Sequence, residues 1–318
     1  MTIFENRASY ILYNLVKKTN KDKKIILPAN ICPIVIATLL KAKKEFILVD
    51  IDEYHYHLNT SKTLEIVKTS KDDYDSILFV RSYGAELDFK DFFTSLKTIN
   101  NNILIIDDKC LAPPKLENDS NSLVDVELFS TGYSKYVDIG FGGYAFLKSN
   151  YSYMRSFTQY KAEDHTKLQN QFRKIIRNNL KFNYEDSDWL DSTVPTMSLI
   201  EYQETIIERM DKVSNHKKLI NEIYTKNLPP EIIMGQQFNN WRFNVLVEDK
   251  NTLIEKIFER GLFASSHYYP MNKFLKTEEF NVTNQLHSRI LNLFNDFRYT
   301  EEMAIKTAKI INENLQMR

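Results

Sequence analysis

The sequence contains few cysteines, few glycines and no excess of charge, and each shortage excludes a class of protein. Its 318 residues include two cysteines, seven glycines, and equal numbers of basic and acidic residues, 42 of each. Cys32 and Cys110 are too few for a disulfide framework and lack the CxxC spacing of zinc or redox sites, which predicts a reducing, cytoplasmic environment. Balanced charge provides no overall field to attract nucleic acid or an anionic membrane. We therefore expect small-molecule ligands.

The sequence also lacks a long hydrophobic run. Its most apolar segment, Ile25–Leu40, has 16 residues and contains Pro28 and Pro33. This is shorter than the ~20 residues that a membrane-spanning helix needs. The opening residues, MTIFENRASY, show no basic segment followed by an apolar one, so no signal peptide is predicted. We expect a soluble protein.

Short apolar runs alternate with helical patterns in the first part of the chain. The runs are Ile25–Leu27, Phe46–Val49, Ile77–Val80 and Ile103–Ile106. The helical patterns are Arg7–Lys18, Ile34–Lys43 and Phe89–Ile99. Continuous apolar strands alternating with helices predict an α/β fold with a mainly parallel sheet covered on both faces. Ligands of such sheets bind beyond the carboxyl ends of the strands, where Arg81, Asp107, Asp108 and the Ser130–Lys135 segment fall.

Beyond Ser149 this pattern gives way to longer, more polar helices. The predicted elements are a long helix Met197–Lys226, a strand Arg242–Val247, a helix Asn251–Arg260 and a closing helix Thr300–Leu315. They indicate a smaller α+β domain attached through the long helix. We predict a large ligand-binding α/β domain over residues 1–195, followed by the bridging helix and small domain over residues 196–318.

Glycine is concentrated around one lysine. Four of the seven glycines, Gly132, Gly140, Gly142 and Gly143, fall within Phe129–Phe146, and Lys135 lies between the first two. Glycine is used where backbone turns sharply or approaches a ligand closely. Lys135 is therefore either a solvated surface lysine or a nucleophile held in a cleft. The segment is not a phosphate-binding P-loop, a dinucleotide fingerprint or a serine nucleophile elbow. The His55–His57 pair has no evident third ligand, so no metal site is predicted.

Asp108, Ser130 and Lys135 together meet the requirements of pyridoxal 5′-phosphate (PLP). This cofactor needs an amine for a Schiff base, a carboxylate to keep its ring nitrogen protonated, and donors for its phosphate. Lys135 and Asp108 are the candidates for the first two roles. Ser130 and the helix N-terminus at Arg7 and Ala8 are the candidate phosphate donors.

The same residues lie in motifs that resemble the DegT-type PLP-dependent aminotransferases, which are fold type I enzymes that aminate nucleotide-linked keto-sugars. The motifs are LPANICPIV, FILVDID, VRSYG, IIDDKC, FSTGYSK and GFGGYAF. The resemblance implies that Lys135 binds PLP and moves the substrate proton, that Asp108 pairs with the ring nitrogen, and that Ser130 binds the phosphate. It also implies a homodimer, an amino donor such as glutamate, and a role in surface glycan biosynthesis.

The sequence departs from the family pattern at several positions. Leu111 replaces a Gln or His that touches the cofactor, Ile31 replaces a stacking aromatic, and Arg81 replaces a frequent His. Val194 and Thr196 stand near positions where Asn and Arg commonly reach across the dimer, and Arg7 replaces a frequent Thr. Arg242, His267 and Tyr268 are candidate substrate contacts, with core or interface packing as the alternative for the aromatic residues.

Three other functions stay open. The same scaffold supports PLP-dependent elimination or decarboxylation. A degenerate member could act as a binding or regulatory protein, which Leu111 and Ile31 favour and which the presence of both Lys135 and Asp108 disfavours. A plain nucleotide-binding α/β protein ranks last, because no phosphate-loop motif is found.

Overall fold

A seven-stranded sheet forms the larger part of the computed structural model, which describes residues 1–119 and 122–315. Its spatial order is β1-β7-β6-β5-β4-β2-β3. The strands are β1 (Thr2–Glu5), β2 (Lys24–Pro28), β3 (Phe46–Val49), β4 (Tyr74–Val80), β5 (Leu104–Asp108), β6 (Val126–Ser130) and β7 (Gly143–Leu147). Strands β2 to β6 pair in parallel, whereas β7 is antiparallel to both β6 and β1. The predicted mainly parallel sheet is confirmed.

Helices cover both faces of this sheet. They are α1 (Ala8–Lys17), α2 (Pro33–Lys41), α3 (Thr60–Thr69), α4 (Lys90–Ile99) and α5 (Ala162–Asn178). Within β4, Leu78 and Val80 join the core cluster that contains α1 and α2, whereas Ile77 and Phe79 join the cluster that contains α3 and α4. Successive side chains of a strand point to opposite faces, so a strand buried on both faces must be apolar throughout.

A second, three-stranded antiparallel sheet follows, with the order β8-β10-β9. The elements of this part of the chain are α6 (Leu199–Asn227), β8 (Phe243–Leu246), α7 (Lys250–Glu259), β9 (Ala264–Ser265), α8 (Met271–Leu275), α9 (Asn281–Arg289), β10 (Ile290–Leu293) and α10 (Glu301–Leu315). A capping box starts the long helix α6: Ser198 Oγ accepts from Glu201 N, and the Glu201 carboxylate accepts from Ser198 N. The small sheet has its own core, built with α6, α7 and α10.

The two parts of the chain exchange contacts at the carboxyl edge of the large sheet. Met271 N donates to Ala29 O (3.0 Å), just after β2, and Tyr268 N donates to Asn30 Oδ1 (3.3 Å). Met271 and Phe274 of α8 are fully buried in the core of the large sheet. The division at residues 195 and 196 stays a prediction, since a helix from beyond it completes the first core.

No helix among residues 1–119 and 122–315 combines the length and hydropathy that crossing a bilayer requires.

Candidate active site

Lys135 lies in the loop between β6 and β7, and glycine gives this loop its shape. Gly142 has φ = 98°, and a Cβ there would lie 2.6 Å from both Thr131 Oγ1 and a ring carbon of Tyr202. Thr131 N donates to Gly142 O (3.0 Å), which closes the base of the loop. Lys135 is half-buried, and its amine has no ion-pair or hydrogen-bond partner among the described residues.

The residues predicted to bind phosphate come together at the N-terminus of α1. A Cβ at Gly143 would lie 2.2 Å from Ala8 N, so α1 begins directly against β7. Arg7 occupies the N-cap position without a side-chain cap, and its Nη1 donates to Gly140 O (3.0 Å). A Cβ at Gly132 would lie 3.6 Å from Ser130 Oγ and 3.8 Å from Arg7 Nη1. A hydroxyl, a guanidinium and a helix N-terminus are suitable donors for a phosphate.

Asp108 ends β5 and is almost buried. Its Oδ1 accepts from Cys110 N (2.9 Å). Burial raises the pKa of Asp108, while the Cys110 side chain and backbone and the positive charge of Lys135 act in the opposite direction. The predicted carboxylate and amine thus lie close enough to interact electrostatically.

The neighbouring Asp107 points to the other face of the sheet and has a structural partner. Arg81 binds it through Nε–Oδ1 (2.8 Å) and Nη2–Oδ2 (2.9 Å). The same guanidinium lies over the rings of Phe79, Phe89 and Phe93. Arg81 therefore belongs to a buried ion pair behind the site, which accounts for this departure from the family pattern.

The other two unusual positions near the cofactor motifs are core positions. Ile31 is 1% exposed and packs in the core on the α1 and α2 side of the large sheet. Leu111 is 4% exposed and joins a cluster with Tyr83 and Trp241. Both side chains contribute apolar packing where polar or aromatic groups are expected from the family.

His267 and Tyr268 lie at this edge of the sheet, beside Asp108 and Lys135. Burial raises the pKa of Tyr268 well above its ordinary value, and the surrounding Cys32, Asp108, Tyr83 and Cys110 add to the effect. Burial lowers the pKa of His267 to about 4, with further contributions from Arg242, Lys135 and Lys250. Part of the His267 side chain is exposed, and the residue is neutral near pH 7.

Arg242 is placed differently from the other candidate substrate residues. It is 1% exposed, and its Nη1 binds Asp296 Oδ2 at 2.7 Å. Its guanidinium is also covered by Phe294, whose ring centre lies 4.0 Å away. These contacts give Arg242 a structural role, and its contact with substrate stays a prediction.

Sequence reasoning missed two residues that contact the Lys135 loop. Asp138 accepts hydrogen bonds from the loop backbone, and Trp241, which is 4% exposed, donates its Nε1–H to Ser134 O. Trp241 also stacks on the His267 ring, with centroids 5.4 Å apart. No motif marks either residue, although Trp241 is one of only two tryptophans in the sequence.

Comparison with known proteins finds no match by sequence but many matches by fold. No protein-family model and no curated protein matches the sequence. Three solved structures that match the fold are a DegT DnrJ EryC1 StrS aminotransferase from Brucella abortus, the sugar aminotransferase CalS13 from Micromonospora echinospora, and 3-amino-5-hydroxybenzoic acid synthase.

The matches extend over nearly the whole chain at low identity. The Brucella protein is 14% identical, with a TM-score of 0.69 and coverage of 98% of this chain and 85% of its own. CalS13 is 13% identical, with a TM-score of 0.70 and coverage of 98% and 87%. The synthase is 13% identical, with a TM-score of 0.69 and coverage of 100% and 87%. The chain therefore has the fold type I architecture of the DegT-type aminotransferases, as its sequence motifs imply.

Proposed function

We propose that the protein is a PLP-dependent aminotransferase. The observation that carries this proposal is the meeting of Lys135, Asp108 and the Arg7, Ala8 and Ser130 donors at one edge of the sheet. These are the amine, carboxylate and phosphate donors that the cofactor needs, and they come from separate elements of the chain. Packing of the hydrophobic core alone would not require an amine, a carboxylate and phosphate donors at one place.

The residues fit PLP at both of its ends. At the phosphate end, Ser130 Oγ and Arg7 Nη1 flank Gly132, where only a hydrogen stands in place of a side chain. At the ring end, the raised pKa of Asp108 reflects the cost of burying a carboxylate without a paired cation. A protonated ring nitrogen beside Asp108 would offset that cost.

The side chains divide the chemistry between them. Bound PLP supplies an electron sink for the carbon that loses a proton. Lys135 Nζ first holds the cofactor and then serves as the base and acid that moves this proton. Asp108 provides the negative charge opposite the ring nitrogen, and Arg7, Ser130 and the α1 N-terminus fix the phosphate. Neutral His267 and Tyr268 are the candidate substrate contacts at this edge of the sheet.

For the acceptor we propose a keto-sugar nucleotide, with glutamate as amino donor, in cytoplasmic surface glycan biosynthesis. Support comes from the family motifs and from the sugar aminotransferase CalS13 among the proteins of this fold. Both cysteines are free thiols, as expected in a reducing compartment. A second candidate product is an amino-substituted benzoic acid, because the 3-amino-5-hydroxybenzoic acid synthase shares the fold to the same extent.

We also propose a homodimer that covers the face beside the α1 N-terminus. Phe157 is 95% exposed and Val194 is 67% exposed, and both are apolar. Their segments lie side by side, since Arg155 Nη2 donates to Ser192 O (2.8 Å). Exposed apolar groups of this size are typical of a surface that a partner covers. Light scattering should give twice the chain mass, and Phe157→Ser with Val194→Ser should shift the population to monomer.

The first test is the near-visible absorption of the protein with added PLP, before and after glutamate. Wild type should show a band that glutamate bleaches, while Lys135→Ala should not form the lysine-bound species. Lys174→Ala, in the exposed part of α5, is the matched control and should behave as wild type.

Other outcomes discriminate between the rival functions. A band unaffected by glutamate, or products other than 2-oxoglutarate, would favour elimination, decarboxylation or another donor. The absence of any band in wild type would contradict the proposal and favour a non-catalytic binding protein.

A further inference from the structure

The backbone of Ser134, the residue immediately before Lys135, is held in an unusual conformation by side chains. Ser134 has φ = 59°, in the left-handed region that non-glycine residues seldom occupy. Asp138 Oδ2 accepts from Ser134 N (2.9 Å), and Asp138 Oδ1 accepts from Gly140 N (3.0 Å). One carboxylate thus ties together both sides of the loop.

Trp241 holds the other polar group of the same residue. Its indole Nε1 donates to Ser134 O, and its own carbonyl accepts from Lys217 Nζ (2.9 Å). The indole stacks on the His267 ring, and the Arg242 guanidinium lies 5.1 Å from the indole centre. Both the N–H and the C=O of Ser134 are therefore bound by fixed side chains.

Asp138 and Trp241 are both connected to the part of the chain that carries the small sheet. Arg298 Nη2 binds Asp138 Oδ2 (3.0 Å) and Asp296 Oδ2 (3.1 Å), and Asp296 Oδ2 binds Arg242 Nη1 (2.7 Å). Arg209 of α6 adds a bond from Nη1 to Asp138 O (2.8 Å). The acidic and basic groups alternate, so each buried charge has an opposite neighbour.

We propose that Asp138 and Trp241 are positioning residues that aim the Lys135 amine by fixing the Ser134 peptide. This inference rests on the proposed function, in which Lys135 must meet both cofactor and substrate. Rotation of the Ser134 peptide would carry the Lys135 Cα and its side chain with it, because Ser134 directly precedes Lys135. Because Arg298 binds both Asp138 and Asp296, movement of the small sheet and orientation of the Lys135 amine are coupled.

The test measures how fast PLP labels Lys135 of the purified chain under borohydride, with the labelled lysine identified by peptide mapping. Trp241→Phe keeps an aromatic ring against His267 but removes the donor to Ser134 O. Asp138→Asn keeps the size and one acceptor but removes the charge that binds Arg298. Both should slow labelling of Lys135 by about tenfold or more, because misplacement by ~1 Å can cost ~10²-fold in rate. Labelling of surface lysines should stay unchanged.

Trp189→Phe is the matched control, since Trp189 is equally buried and donates its Nε1–H to Tyr184 OH (3.1 Å) away from the loop. It should lose stability comparably and label at the wild-type rate. Circular dichroism and thermal midpoints identify any variant that fails to fold, in which case the other variant decides.

The possible results separate this inference from the proposed function. If wild type is not labelled at Lys135, the proposed function fails. If wild type is labelled and folded Trp241→Phe and Asp138→Asn are labelled equally fast, the positioning role is overturned. Recovery of the wild-type rate in Asp138→Glu relative to Asp138→Asn would further support it.

Discussion

The two sides of the candidate site are built from different kinds of residue. The edge of the large sheet offers small polar groups at two strand ends, the side chains of Asp108 and Ser130, and the backbone N–H of Ala8 at a helix start. The side that belongs to the small sheet contributes large, buried side chains that are held by neighbouring groups, Trp241 and Arg242. Groups at the strand ends can reach a ligand, whereas buried groups behind them hold the geometry of the site. Substitutions on the first side should cost activity, and substitutions on the second should cost stability or alignment.

The largest effect is expected at Lys135. Lys135→Ala should lower turnover by at least the ~10²–10⁴-fold that general acid and base catalysis provides, with little change in the thermal midpoint. Steady-state rates with glutamate and a keto-acceptor, beside a melting curve, would measure both. Turnover close to wild type would remove Lys135 from the mechanism.

The adjacent residues Asp107 and Asp108 of β5 should differ in what their substitution costs: stability at Asp107 and activity at Asp108. Asp108→Asn should lose roughly 10²-fold or more in turnover while staying folded. Asp107→Asn leaves Arg81 buried without its partner and should lower the free energy of unfolding by about 3–5 kcal/mol. Its turnover per folded molecule should stay near wild type. Urea unfolding and turnover on both variants would test this, and equal loss of activity in both would contradict the division.

Alanine substitutions at two glycines should have different effects: crowding of the site at Gly143, and only backbone strain at Gly261. In Gly143→Ala the new methyl group would press on Ala8 N, displace the start of α1 and weaken PLP binding by about tenfold or more. Gly261→Ala meets no atom within 4 Å but has φ = 70°, so it should cost only about 1–2 kcal/mol of stability. Titration with PLP should distinguish them, and unchanged affinity in folded Gly143→Ala would count against α1 as the phosphate site.

The smallest effect on activity is expected for Lys217, on the small-sheet side, which should instead change the pH dependence of stability. Burial lowers the pKa of Lys217 from its ordinary value of 10.5 to about 7, so the folded protein favours the neutral amine. Between these pH values the unfolded chain binds this proton more tightly than the folded one. The contribution of Lys217 to the free energy of unfolding therefore rises with pH across this window and levels off below it.

Urea unfolding of Lys217→Met at several pH values would show a flatter pH profile than wild type. Lys218→Met changes the exposed neighbour and should leave the slope intact. An identical slope in wild type and Lys217→Met would show that other groups determine it.

The sequence predicted the parts of the fold that depend on continuous hydrophobic runs. Strands β2 to β5 were recognised because each is apolar on both faces, and α1, α2, α4, α6, α7 and α10 because their apolar residues recur at helical spacing. Strand β1 was missed because Thr2–Glu5 has only two apolar residues, Ile3 and Phe4, and β10 because Ile290–Leu293 contains a buried Asn292. Asn292 is stabilised there by a hydrogen bond to Asn244 Oδ1, which local sequence does not reveal.

The site shows the same limit. Asp108, Ser130 and Lys135 were found because their order and spacing form a motif, and their roles stay predictions that the experiments above test. Trp241 and Asp138 were not found, because their importance arises from contacts between segments about a hundred residues apart. Arg242 was selected from its type and its place at a strand start, whereas its burial against Asp296 depends on tertiary packing.

Helix α8 makes the two parts of the chain mutually dependent. The Phe274 ring stacks on Phe182 with centroids 4.7 Å apart, inside the core that the first part of the chain would otherwise leave open. A fragment ending near residue 195 would expose that apolar surface and aggregate, and the remaining fragment would carry two large hydrophobic side chains with nothing to cover them. The chain should therefore tolerate a single proteolytic nick near residue 195, with the two pieces staying bound, far better than it tolerates removal of either piece.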